Sequence, residues 1–361
     1  MIHVACVNQD PGIAPTRAKG AAIHLAAMRR AFSELGAAVE SIDEADQIVL
    51  LDRLEALHSA GRLDMIYERY SLGSAGAAEF ARIHETPFVV EVNAPLAQEA
   101  SRWRDRAPSR ADSLSDSLVF GQANRVVAVS SQVAAYAIGR GAAADRVAIF
   151  PNGIDRHLFH PLRAKDSVRG ELVPEDRFVV GFHGRPRPWH GFAHLVQVCR
   201  QLLDDGVPIH LLAVGEGEFE ALESIPAQHR TRVGWRPHGE MPRYVAAFDA
   251  LPLTYEPDVP LYFSPLKLME AMACGVVPLV PAAGDLPQLV RHQETGMVYP
   301  HGDFHQLAEQ LQWLIAHPQR RSAMARRSAA LAARYTWTRV AEFVLRAAYR
   351  SSSHSPQSLA S

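Results

Sequence analysis

The chain has few cysteines. Cys6, Cys199 and Cys274 lie far apart in apolar surroundings. An odd, dispersed set argues against a disulfide framework and fits a reducing, cytoplasmic compartment. Long apolar runs are missing too. No stretch approaches the roughly 18 uninterrupted apolar residues of a membrane span. The opening MIHVACVNQD has no basic segment ahead of an apolar one, so it reads as a strand and not as a signal peptide. An excess of either charge is also absent: 37 basic and 39 acidic residues leave a net charge of -2, and nothing draws the chain towards nucleic acid or an anionic membrane. The 17 histidines are scattered without metal-ligand spacing, and no Asp-x-Asp pair is present, so no metal site is expected. No GxGxxG fingerprint occurs, which leaves a nicotinamide-dependent dehydrogenase with little support. Short internal repeats are absent as well.

What remains is an ordinary soluble composition, 48% hydrophobic and 21% charged, in 361 residues. That length is enough for two domains with buried cores. Apolar strands alternate with amphipathic helices from end to end, so both halves are expected to be parallel, doubly wound α/β domains. Ile2–Val7 reads as a first strand and Ala21–Leu35 as a helix opened by Lys19-Gly20. Strands follow at Val39–Ile42, Asp64–Arg69, Phe88–Asn93, Arg125–Val129 and Val147–Phe150. Helices fall at Asp43–Ala60, at Ala75–His84 and from Ser130 to near Gly141. Arg102–Ser117 is charged and polar with helix-forming ends, and reads as a mobile or acceptor-facing segment. Leu162–Asp176, charged and flanked by proline, reads as a linker. Phe178–His183 opens the second half, and Tyr335-Thr336-Trp337 begins a last helix to about Arg350. The serine-rich end, 351–361, reads as disordered.

The most informative stretch is YFSPLKLMEAMACGVVP, Tyr262 to Pro278. Ser264 is a helix N-cap residue with Pro265 at the first helical position. Leu266, Met269 and Met272 recur at helical spacing, and Gly275 stands where the helix should stop. A helix start offers unpaired N–H groups and the positive end of the dipole to an anion. Lys267 adds a cation in the first turn, and Glu270 shares its face three residues on. That set suits a nucleoside diphosphate and its ribose hydroxyls. It fits equally a core helix carrying a solvated Lys–Glu pair, and residue chemistry alone does not choose between them.

The run SPLKLMEAMACGVVPLVPAAGDLPQLVRHQETGMVYP resembles the donor-binding region of retaining glycosyltransferases of family 4, which have the GT-B fold: two Rossmann-like domains facing a central cleft. Glu270 takes the place of the second Glu of the family's Glu–seven residues–Glu motif, which binds ribose. Tyr262 stands at the first, so the chain resembles the FSPLK variant branch. GRPRPWHG resembles the loop in which an Arg and a Lys grip the donor phosphates. Arg185 falls on the Arg, and His190, partly protonated near neutrality, falls on the Lys. EVNAPLAQEA resembles the strand end where other members carry a His facing the sugar and acceptor; here it is Asn93, two residues after Glu91. Gly20 resembles the family's glycine loop, Trp235 and Arg236 the segment offering backbone groups to the base, and PNGID at 151–155 a further hallmark.

The resemblance implies an N-terminal acceptor-binding domain over 1–161, rejoined by a helix at 337–350, then a linker at 162–176 and a nucleotide-sugar-binding domain over 177–335. It implies transfer of a hexosyl-type sugar from a UDP- or GDP-linked donor to a small-molecule or glycan acceptor, with retention of configuration, no metal and no further cofactor. Arg185, Lys267, Glu270 and Asn93 would act in the reaction. Gly20, His190, Trp235, Arg236, Tyr262, Phe263, Ser264, Pro265 and Leu266 would contact the donor. The Ala/Arg-rich composition suggests a bacterial natural-product or polysaccharide pathway. The substitutions at Tyr262, His190 and Asn93 keep two other readings in view, a nucleotide-sugar epimerase on the same fold and a catalytically silent sugar-nucleotide-binding protein.

Overall fold

The computed structural model describes residues 1–13, 20–103, 105–161 and 165–349. Lys19, part of the segment read as the linker (162–164), Arg350 and the 351–361 tail lie outside the described residues. The chain forms two compact units. One is Met1–Gly153 with Tyr262–Ser264 and the helix from Trp337; the other is Ile154–Leu261 with Pro265–Thr336.

The first unit is built on a six-stranded sheet: β1 His3–Asn8, β2 Ala38–Asp43, β3 Met65–Arg69, β4 Phe88–Val92, β5 Arg125–Ala128 and β6 Val147–Ile149. Its order is β2-β1-β3-β4-β5-β6, and every pairing is parallel. The second sheet holds β7 Phe178–His183, β8 Ile209–Val214, β9 Arg230–Val233, β10 Ala250–Pro252, β11 Val277–Pro281 and β12 Met297–Tyr299. It runs β12-β11-β10-β7-β8-β9, again all parallel. Parallel strands covered on both faces should read as unbroken apolar runs, and they do: β4, β7, β8 and β11 are buried at every position. Each sheet has its own apolar core, around Val90, Phe88 and Phe120 in the first unit and around Val180, Leu211 and Leu311 in the second.

The strand orders locate the ligand sites. In an open parallel sheet, ligands bind beyond the strand C-termini where the winding reverses direction. The reversal lies between β1 and β3 in the first sheet and between β7 and β10 in the second.

One segment departs from the sequence reading, and another takes the helix-forming ends expected of it. The segment read as a linker carries a helix, Lys165–Leu172. The run 102–117 holds the end of a helix, Leu96–Trp103, and the start of another, Arg110–Gln122. Ser109 caps the second in a reciprocal capping box with Asp112.

Candidate functional site

In the second unit, β7 ends at His183 and β10 leads to Thr254, so the switch point is bordered by the 184–191 loop and the start of the Leu266–Ala273 helix. The sequence placed the cap of that helix at Ser264. The structure places it at Pro265, which makes no side-chain cap. Ser264 is diverted: its hydroxyl accepts from the Asn152 amide at 3.0 Å, and its carbonyl accepts from Asn152 Nδ2 at 2.6 Å. The PNGID turn therefore consumes the predicted cap. First-turn N–H groups of the helix are left without a side-chain acceptor, and such groups favour an anion.

Lys267 lies in that first turn. Its Nζ sits 4.8 Å over the Phe182 ring and 3.5 Å from His190 Nδ1. Burial draws its ammonium down to about 8, although the Glu270 carboxylate pulls upward. His190 Nδ1 also lies 3.0 Å from the Arg185 carbonyl oxygen and 3.2 Å from the Arg187 amide. Burial, followed by the Lys267 charge, pushes His190 down to about 2. The expected partly protonated group is thus a neutral imidazole, because burial disfavours its charge and the Lys267 cation adds to that. Lys267 carries the positive charge here, beside an uncharged His190 ring.

Glu270 is 7% exposed. Its Oε1 meets His238 Nε2 at 2.9 Å, and its Oε2 lies 3.6 Å from His183 Nδ1. Burial alone would raise this carboxyl. The His238 hydrogen bond, then the charges of His183, His238 and Lys267, outweigh burial and hold it below its ordinary value. His183 is pushed down to about 4, chiefly by burial, and its Nε2 has no hydrogen-bond partner among the described residues. His238 in turn packs against Phe159, ring centroids 5.1 Å apart.

Arg185 is exposed and makes no ion pair with a described residue, so its guanidinium remains available to an anion. Leu266 is half-buried beside Lys267. Trp235 is 48% exposed, and Arg236 donates from Nε to the Tyr244 hydroxyl at 2.9 Å. Neither joins the Lys267–Glu270 cluster directly. Their segment contributes His238 instead.

The remaining predicted residues belong to the first unit. The Tyr262 hydroxyl donates to Glu99 Oε1 at 2.6 Å, its carbonyl accepts from Ser130, and Phe263 packs edge-on to its ring. Burial pushes the Tyr262 phenol upward. Gly20 is the exposed first residue of the Gly20–Glu34 helix. Asn93 donates from Nδ2 to Glu91 Oε1 at 3.0 Å. Glu91 also accepts from Tyr67 and lies 2.8 Å from His24 Nε2.

Sequence reasoning missed His183, His238, His24 and Arg69. Only His183 and Arg69 carried a usable signal, as polar side chains at the C-terminal ends of strands. Among the described residues no group of three or more His, Cys, Asp or Glu is arranged to hold a metal ion, and no helix is long and apolar enough to cross a membrane.

Two family models match the chain, "Glycosyl transferase 4-like domain" over 1–153 and "Glycosyl transferases group 1" over 177–317. D-inositol 3-phosphate glycosyltransferase 1 of Catenulispora acidiphila is 28% identical over 318 residues, covering 82% of this chain and 74% of that one. Among solved structures, Anabaena HepE in complex with UDP-glucose matches with a TM-score of 0.72 at 20% identity, covering 95% of this chain and 98% of the other. Sucrose-phosphate synthase from Thermosynechococcus elongatus matches at 0.76 and 17%, covering 97% and 99%. The two models between them take in most of the chain, and the two parallel sheets have the matching fold. The chain belongs to the glycosyltransferases of family 4, with the GT-B fold.

Proposed function

We propose that this glycosyltransferase takes a hexosyl-type sugar from a nucleoside-diphosphate sugar, UDP-linked in preference to GDP-linked, and passes it to an acceptor hydroxyl with retention of configuration. The observation that carries the reading is the cluster at the β7–β10 switch point: a half-buried cation, Lys267, at an uncapped helix start, one turn from an ionised and buried Glu270. The solved relative from Anabaena holds UDP-glucose, which favours uridine.

A departing nucleoside diphosphate gathers negative charge as the glycosidic bond breaks. Lys267 and the first-turn amides stabilise that charge in a site of low polarity, where such interactions are strongest. Arg185 supplies a second, flexible cation suited to bidentate contact with phosphate. Glu270 keeps an acceptor for ribose hydroxyls, with His238 holding the carboxylate in place. Retention would follow if the acceptor hydroxyl attacks from the face the leaving group vacates and the phosphate takes its proton. Asn93 lacks a basic atom and would bind without moving a proton.

Calorimetric titration with UDP, GDP, ADP and dTDP tests this reading. UDP should bind tightest, and Lys267→Ala should weaken it by about tenfold or more, the scale of a buried charged hydrogen bond. Sugar transfer or donor hydrolysis should nearly vanish in Lys267→Ala and in Glu270→Ala while their circular dichroism stays native. Native turnover in either folded variant would refute the assignment.

A further inference from the structure

The second unit carries a groove at the outer edge of its sheet, away from the Lys267–Glu270 cluster. β12 is the edge strand, and two strand spacings, about 10 Å, separate it from β10 at the switch point. The groove holds about 490 Å³ and lies between β12, the turn that begins at His292 and one face of the Phe304–Ala316 helix. Gln306, Glu309, Gln310 and Trp313 recur at helical spacing, so one helix face supplies all four. Edge strands expose unpaired backbone groups, and here side chains cover them. His292 Nδ1 accepts from the Val298 amide at 3.0 Å, and Gln310 Nε2 donates to the Val298 carbonyl at 2.9 Å. A further strand therefore cannot add at Val298, which excludes an extended peptide as the occupant. The same bonds fix what the two side chains have left. An imidazole accepting at Nδ1 carries its proton on Nε2. The Gln310 side chain cannot be turned over, because only its nitrogen can donate to a carbonyl. Gln310 is 8% exposed, and its Oε1 is buried with no hydrogen-bond partner among the described residues. A buried acceptor left unpaired is costly, and an incoming O–H or N–H relieves the cost.

The rest of the lining sets the chemistry of the molecule that brings this donor. Met297, Val298 and Trp313 give the groove apolar walls, and His317 stacks on one face of the Trp313 ring, centroids 4.5 Å apart. Gln306 adds an amide, which pairs with hydroxyls as donor and as acceptor. No described Lys or Arg lines the groove. Its acidic group, Glu309, is exposed and lies 3.7 Å from His305, so water and that ring already moderate its charge. A phosphate or carboxylate finds no cation here, in contrast to the Lys267 site. Apolar walls with a few convergent amides suit a neutral molecule that combines C–H faces with hydroxyls, as a sugar ring does.

We infer that the groove beside β12 is a second binding site of the protein, separate from the donor site, which takes a neutral saccharide and in which Gln310 Oε1 accepts from one of its hydroxyls. The test is methyl NMR of the full chain with isotope-labelled methionine. Met297 reports on the groove, and Met269 and Met272 report on the Leu266–Ala273 helix. With UDP saturating, maltotriose and N-acetylglucosamine should move the Met297 signal, assigned through Met297→Leu, and glucuronate should not. Gln310→Leu removes the unpaired oxygen and should weaken that binding by about tenfold while UDP affinity stays native. If neither neutral sugar moves Met297 in the wild type, the inference is overturned, whether or not the variant folds. A response confined to Met269 and Met272 overturns it too, because the sugar then sits at the donor site. An equal response to glucuronate, or a response to glucosamine alone, overturns the neutral-saccharide assignment. So does native saccharide binding by a folded Gln310→Leu variant. UDP that leaves Met269 and Met272 unmoved would count against the donor reading alone, and the Met297 result without UDP would still decide on the groove.

Discussion

Lys267 shows how a single side chain ties packing to pH. Its ammonium titrates near 8 because burial disfavours the charge more than Glu270 restores it. Only the protonated form attracts a diphosphate, and binding one raises its pKa further. UDP affinity should therefore hold steady up to about pH 8 and then fall as pH rises, by up to about tenfold per unit until the pKa of the complex is reached. Lys267→Arg keeps a charge that does not titrate in this range, so its profile should be flat. Dissociation constants measured from pH 7 to 9.5 check both, and a wild-type curve without a slope would remove Lys267 from the phosphate site. That Lys267 and Glu270 share a helix face was legible in the sequence from their spacing alone. His238 and His183 were not, because each reaches Glu270 from another element. His24 and Arg69 were hidden for the same reason: 45 residues separate them, and only the sheet brings them into contact.

At the scale of elements, local rules worked where the partner was also local. Phe178–His183 was read to the residue, and Ser130, read as the start of its helix, caps it. Ser264 failed as a cap because its hydroxyl is taken by Asn152, 112 positions away. The Ser109–Asp112 capping box was readable from its spacing, but the charge and proline around it obscured the helix. The 184–191 loop shows what a turn conformation contributes to the site. Gly191 has a φ of +58°, and a Cβ there would lie 1.8 Å from the Thr254 carbonyl oxygen. Gly184 has a φ of +91° but open space around its missing side chain. Gly184→Ala should cost only the left-handed backbone penalty, about 1–2 kcal/mol. Gly191→Ala adds a backbone collision and should cost about 1–3 kcal/mol more. It should also weaken UDP binding, because it displaces His190 and, through it, Lys267. Denaturant midpoints of the two variants, with UDP titrations beside them, measure the difference; equal losses would mean that the Thr254 contact does not constrain the loop.

At the scale of the whole molecule, the alternation of strands and helices announced two parallel sheets. Their strand orders were not legible, since order depends on which side of the sheet each crossover takes. The two cores carry buried titratable groups of opposite sense. In the first unit, Glu68 titrates near 8, far above its ordinary 4.5, because of burial; Asp116 is raised as well, again chiefly by burial. The stability these protonated carboxyls supply is complete below the ordinary value and is lost as pH rises through the folded one. In the second unit, His183 and His210 titrate near 4, below their ordinary 6.5, and burial is again the main cause. Their neutral forms support the fold above pH 6.5, and that support is lost as pH falls towards 4. Between pH 8 and 5 the first unit should therefore gain stability while the second loses it below 6.5, each fully buried group contributing at most about 1.4 kcal/mol per pH unit. The lowered carboxyls, Asp112 and Glu270, do not enter, because their ordinary values lie below this window. Hydrogen exchange at amides of β4 and β8, followed from pH 8 to 5 and corrected for the intrinsic rate, reads the two cores separately. Protection in β4 should rise and protection in β8 should fall, and Glu68→Gln, which mimics the protonated carboxyl, should reduce the β4 trend. A common drift of both cores in one direction would show that these buried groups do not set the pH response.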